Sequence, residues 1–181
     1  MRTIILYVKS LDHLIEYRPL FLRSVVYAIL ISHGVREYCR MVSFIAEKKS
    51  SIVVLGSRVK RVYPDEQSLQ GIFNKIVKHL RITPPKGRKV HPGIFIRKGD
   101  FKTLLKECKS SVNTYIEEGS MSTIPKLGRS FTAVIPFIYS FTSSEKNMLR
   151  RYGYKPLKIN LNRFYPDQIV VILNFIGDIT W

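Results

Sequence analysis

The chain predicts an α/β fold, a mostly parallel sheet flanked by helices and formed as one domain over residues 1–181. Short runs rich in β-branched and aromatic residues alternate with windows whose apolar residues recur at helical spacing. The expected helix starts carry proline or a capping residue. A length of 181 residues with 45% hydrophobic content is enough to bury a core and excludes wholesale disorder.

Ile4 to Val8 reads as a buried strand. Pro19 opens a helix to about Ser32, with Leu22, Val25, Val26, Ile29 and Leu30 on one face, and Gly34 stops it. Met41 to Ala46 and Ser51 to Leu55 are strands joined by a polar turn, and Val59 to Tyr63 is a further short strand. Pro64-Asp65-Glu66 starts a helix with two carboxylates at its positive end, and Leu69, Ile72, Phe73, Ile76, Val77 and Leu80 form its stripe. Thr83 to Pro92 is a loop rich in Pro, Gly and positive charge. Ile94 to Ile96 is a brief strand, and Asp100 caps the next helix. Tyr115 and Ile116 end a strand before the Glu117-Glu118-Gly119 turn, and residues 120–130 form a polar loop. A strand spans 131–139, Thr142-Ser-Ser-Glu145 is a capping box, and Gly153 ends that helix. Lys155 to Asn160 is a strand. Gln168 to Ile176 fits strand or helix on periodicity alone.

Thirty Lys and Arg stand against 13 Asp and Glu, a net charge of +17 with a pI near 10.1. Such an excess repels itself until a polyanion neutralises it, so nucleic acid is the expected partner. No polybasic amphipathic helix stands apart from the globular pattern, so no membrane partner is expected. From Gln67 to Gly99 there is no acidic residue. The candidate RNA contacts are therefore Lys75, Lys78, Arg81, Lys86, Arg88, Lys89, Arg97 and Lys98, extended by Arg58, Lys60 and Arg61.

Cys39 and Cys108 form no CxxC pair and read as reduced thiols of a cytoplasmic protein. The four histidines have no Cys or carboxylate at ligand spacing, so no metal site is expected. Dinucleotide, P-loop, nucleophile-elbow and zincin motifs are all missing. Asp65 and Glu66 read first as helix-start charges, His33 and His91 as structural, and Tyr17, Tyr63 and Tyr165 as packing residues able to stack on bases. No catalytic residue is assigned.

Several phrases together resemble the archaeal tRNA pseudouridine N-methyltransferases of the SPOUT (trefoil-knot) superfamily. They are Phe21 to Arg36 with Leu30-Ile-Ser-His-Gly-Val-Arg36, Gly56 to Glu66 ending Tyr63-Pro-Asp-Glu66, and Pro92-Gly-Ile-Phe-Ile96. The Glu117-Glu118-Gly119 turn, Phe141-Thr142 and Ile169-Val-Val-Ile-Leu-Asn174 complete the set in order. The resemblance implies a C-terminal segment threaded through a loop as a knot, an S-adenosylmethionine pocket within it, a homodimer, and pseudouridine in the T-loop of tRNA as substrate. It also makes Gln168 to Ile176 the last helix. Of the family's pattern after Ser32-His33, Arg36 is retained as a candidate phosphate contact.

The pocket positions implied by the resemblance are Ile135, Pro136, Phe137, Ile138, Leu161 and Gln168. They depart from its pattern. Pro136-Phe137-Ile138 stands where the family carries Gly-Asp-His, Leu161-Asn162-Arg163 replaces Leu-Gly-Pro, and Pro166-Asp167-Gln168 replaces Ser-His-Cys. Proline removes a backbone donor, and the phenyl ring is expected to fill the adenine space. Two readings follow. In the first, the chain binds rRNA or tRNA as an inert ribonucleoprotein component beside ribosomal proteins, with no cofactor. The alternative is an S-adenosylmethionine-dependent pseudouridine methyltransferase acting on tRNA or rRNA.

Overall fold

The first strand of the chain lies in the interior of the sheet, and the rest is built outward from it. In the computed structural model, which describes residues 1–82, 87–121 and 123–180, the elements follow in this order. β1 (Arg2–Val8) leads to α1 (Leu11–Glu16) and α2 (Arg18–Ile29), then to a short hairpin of β2 (Leu30–Ile31) and β3 (Gly34–Val35). β4 (Cys39–Ile45), β5 (Ser50–Leu55), α3 (Glu66–Arg81), β6 (Arg88–His91), β7 (Ile94–Lys98) and α4 (Phe101–Glu107) come next. β8 (Val112–Glu118), β9 (Phe131–Pro136), α5 (Ser143–Arg151), β10 (Lys155–Ile159) and α6 (Pro166–Ile179) complete it.

The eight-stranded sheet has the order β10-β8-β9-β1-β4-β5-β7-β6. The pairs from β10 through β8, β9 and β1 to β4 are parallel, and β5, β7 and β6 add on antiparallel. β1 is buried along its whole length, which is why its Ile4–Val8 part reads as an unbroken apolar run. Its alternation feeds two cores. Ile4, Leu6 and Val8 face a layer built by α1, α2, α3 and α6, whereas Ile5 and Tyr7 face α4 and α5. The result is a helix–sheet–helix sandwich.

The capping residues act as read. Asp65 accepts from the Ser68 amide at 2.7 Å, Asp100 from the Thr103 amide at 2.7 Å, and Thr142 and Glu145 form the capping box. Each satisfies amides that the helix itself leaves orphaned. The Gln168–Ile176 segment is helical, within α6.

Other expectations are corrected. Val59 to Tyr63 is not a strand, because a single 3₁₀ turn follows β5 and Arg61 takes a left-handed φ of 55°. The helix from Pro19 starts one residue earlier and stops at Ile29, where Leu30 and Ile31 pair with Gly34 and Val35 instead. α1 is an element the periodicity does not announce; its signal is Ser10, whose hydroxyl accepts from the His13 amide, ahead of the buried Leu11 and Leu14. The strand from Phe131 ends at Pro136 rather than at residue 139. Within the expected 83–92 loop, residues 83–86 lie outside the described residues and Arg88–His91 is a strand. It turns into β7 at Gly93, with φ 78°, where a Cβ would stand 2.4 Å from the Val59 nitrogen.

Both sheet edges carry cations. β10 reads Lys-Pro-Leu-Lys-Ile and β6 Arg-Lys-Val-His, and charge or proline on an edge blunts pairing with another chain.

Candidate functional site

In open α/β sheets a ligand sits outside the carboxyl ends of the parallel strands. At that end, beyond β9, the chain forms a cavity of about 520 Å³, within the size range of small-molecule sites. Its walls come from three segments. Tyr17, Leu20 and Arg23 belong to the α1–α2 junction and α2, Pro136, Phe137, Ile138 and Ser140 follow β9, and Leu161, Asn162, Phe164, Tyr165, Pro166 and Ile169 lead into α6.

This corrects the expected plug. Phe131, Ala133, Ile135 and Phe137 all join the core that faces α2 and α6, because strand alternation gives them one parity. Phe137 is therefore drawn into the core, 2% exposed, and forms one wall of the cavity without occupying it. Its amide continues the ladder, donating to the Tyr7 carbonyl at 3.0 Å. By the same alternation the Pro136 nitrogen points away from β1, past the last β8–β9 pair at Tyr115 and Val134, so the proline breaks no ladder bond. The expectations of no cofactor and of an inert ribonucleoprotein component therefore lose the plug as their support. Ile135 and Gln168 do not line the cavity. Ile135 is fully buried beneath it, and the Gln168 side chain accepts from the Tyr165 amide at 2.8 Å, fixing the start of α6.

Two features give the cavity polarity. The Arg23 Nε donates to Asp167 Oδ2 at 2.7 Å, with Arg23 47% exposed and Asp167 6%. The carboxylate sits at the positive end of α6, where the helix field favours it. Its other oxygen is buried without a hydrogen-bond partner among the described residues. Tyr17 supplies a phenol kept protonated above its ordinary range, first by the negative charge of the neighbouring Glu16 and then by a hydrogen bond to it. Sequence reasoning missed Arg23 and Asp167. The available signal was a lone arginine interrupting the apolar run of α2.

The basic residues divide into groups. Lys75, Lys78 and Arg81 are exposed on α3, and Arg88 and Lys89 on the β6 strand that packs against it. Arg58, Lys60 and Arg61 lie exposed just after β5, with the Lys60 carbonyl 2.8 Å from His91 Nε2. Arg97 departs from the group, pairing with Glu107 of α4 at 3.4 Å on the other face of the sheet, and Lys98 ends the same strand. Lys86 lies outside the described residues. Arg36 is half-buried and reaches Asp178 at 3.4 Å, and its carbonyl lies against Gly56, at the start of the turn that carries Arg58. Among the described residues no cluster of His, Cys, Asp and Glu could hold a metal, and no helix is long and apolar enough to cross a membrane.

Residues 19–178 match the family described as "Putative SAM-dependent RNA methyltransferase", and the chain belongs to that family. Over 164 residues, covering 84% of this chain and 74% of the relative, it is 29% identical to the tRNA (pseudouridine(54)-N(1))-methyltransferase of Methanopyrus kandleri. Its fold is shared with a solved structure from Legionella pneumophila, described as a "putative methyltransferase" in complex with bound S-adenosylmethionine. The TM-score is 0.51 at 9% identity, covering 97% of this chain and 64% of that one, so the chain spans under two thirds of that structure's length.

Proposed function

We propose that the chain is an S-adenosylmethionine-dependent methyltransferase that modifies pseudouridine in tRNA or a similarly structured RNA. The observation that carries this reading is the open cavity at the carboxyl ends of the parallel strands, formed by the segments that the family resemblance marks for the cofactor. The residues present fit the group. Leu20, Ile138, Leu161 and Ile169 offer apolar walls for the adenine, and Arg23 keeps N–H groups beyond its bond to Asp167 for a carboxylate. Tyr17, Phe164 and Tyr165 present aromatic rings, which attract a cationic centre. When bound, the cofactor supplies the methyl group. The protein's part is to hold donor and RNA together while these walls exclude water.

Support for the RNA half comes from the relative in Methanopyrus and from the cations of α3 and β6. The same reading includes a knotted C-terminal segment and a homodimer. Val171, Phe175 and Ile179 leave an exposed apolar stripe at helical spacing on α6, beside Tyr27 and Ile31. Sedimentation equilibrium tests the dimer, which fails if the mass stays monomeric at high concentration.

The decisive experiment is isothermal titration with S-adenosylmethionine, paired with transfer of a labelled methyl group to a tRNA bearing pseudouridine in its T-loop. Saturable binding and labelled tRNA are expected, and Leu161→Trp should abolish both while leaving the melting temperature in place. Absence of heat and of label in the wild-type chain would end the reading.

A further inference from the structure

We propose that a second hollow, separated from the cofactor cavity by the α1–α2 junction, holds an unstacked nucleotide of the RNA adjoining the one that is modified. The placement beside the target rests on the methyltransferase reading; the capture of a nucleotide does not.

The hollow has a volume of about 440 Å³ and lies between the start of α2 and the last turns of α3. Three cations line it, Arg18, Lys78 and Arg81. Among the described residues none of the three is in an ion pair. Phe73, Val77 and Ile82 line the same hollow, with Ile82 61% exposed. An exposed isoleucine beside cations that are in no ion pair suits a nucleotide. The base needs an apolar surface to lie on, and its flanking phosphates need positive charge. An acidic peptide would use the cations and leave the apolar side unused.

The position adds the second half. Tyr17 and Leu20 line the cofactor cavity while Arg18, between them in sequence, lines this hollow. One short junction thus forms a wall of both. An RNA strand whose target base enters the cavity would pass its neighbour across the hollow.

The test uses the full chain and a labelled tRNA transcript, with affinity measured across a salt series. Removing one cation that neutralises a phosphate reduces the slope of log affinity against log salt by roughly 0.7–0.9. R18Q/K78Q/R81Q should therefore flatten the slope by about 2 and weaken binding roughly 100-fold at about 0.15 M salt. K78Q/R81Q, at two exposed positions, gives the same trend if the triple variant folds poorly. Ile82→Ser should cost roughly fivefold, the loss of apolar surface beneath the base, and K102Q/K106Q on α4 should change nothing. Titration with S-adenosylmethionine should be unaltered in every variant. The proposal is overturned if the triple variant keeps wild-type affinity and slope, if the α4 control falls equally, or if polyglutamate displaces the tRNA with the same sensitivity to these substitutions. A wild-type chain that binds tRNA through the hollow but takes up no S-adenosylmethionine would leave the nucleotide site standing and remove the methyltransferase reading.

Discussion

The two ends of α6 each carry an aspartate held by an arginine, and the two pairs do opposite things. At the start of the helix, Asp167 meets Arg23, whose half-exposed guanidinium faces the cavity mouth. At the far end, Asp178 meets Arg2 at 2.9 Å, and Arg2 is 1% exposed. Arg2 also donates to Asn174 Oδ1 at 2.9 Å and lies between the rings of Tyr38 and Phe131, at 5.5 and 5.2 Å from their centroids. The helix field favours Asp167 and opposes Asp178, so the second carboxylate needs Arg2 and Arg36 to offset the dipole. A hollow of about 630 Å³ lies at that end too, but its guanidinium is already bonded to α6. The same residue pair thus fastens the fold where the cation is buried and leaves a reactive edge where it is exposed.

The largest effect should come from Arg2→Ala. Removing a buried cation that ties β1 to α6 is expected to cost about 3–5 kcal/mol in urea unfolding, and a change under about 1 kcal/mol would break the contrast between the ends. Next comes the pH response of the same end. Burial pushes the Cys39 thiol up to about 11, the nearby Arg2 charge opposing the shift only in part. A raised pKa contributes stability below the unfolded value, and that stability is lost as pH climbs. Cys39 should therefore contribute roughly 2–3 kcal/mol to a decline in unfolding free energy between pH about 9 and about 11, and Cys39→Ala should remove that share while the part due to the buried Cys108, Tyr7 and Tyr154 stays. Gly177→Ala is expected to cost about 1–3 kcal/mol in the same assay, because its Cβ would stand 2.6 Å from Arg2 Nη2 and 2.7 Å from the Phe131 ring. At the other end, Arg23→Gln should lower stability by about 1–3 kcal/mol, because it leaves the buried Asp167 carboxylate without its donor, while weakening S-adenosylmethionine binding at least tenfold by titration. Adding Asp167→Asn should recover the stability and not the binding.

Much of the fold is readable because its signals are local. Asp65, Asp100 and the Thr142–Glu145 box mark helix starts within one turn, and β1 announces its burial by its composition. The cavity is less readable, and Phe137 shows why. Judged by bulk it fills a pocket; judged by parity with Phe131, Ala133 and Ile135 it belongs to the core. That parity is present in the sequence, but where strand ends and loop begins decides whether it applies. The Arg23–Asp167 pair is legible only as a lone arginine in an apolar run, since its partner lies 144 positions away. The basic run from Lys75 to Lys98 is legible as charge but not as a surface, because β7 turns Arg97 to the α4 side.

β1 is seated between β4 and β9, pairing Thr3 with Thr132, so its place in the sheet is completed only by a strand encoded far downstream. Closing so long a loop is slow and leaves an unpaired apolar ribbon exposed meanwhile. Refolding from urea should therefore be slow, because the Arg2–Asp178 pair closes only once β1 and α6 have met.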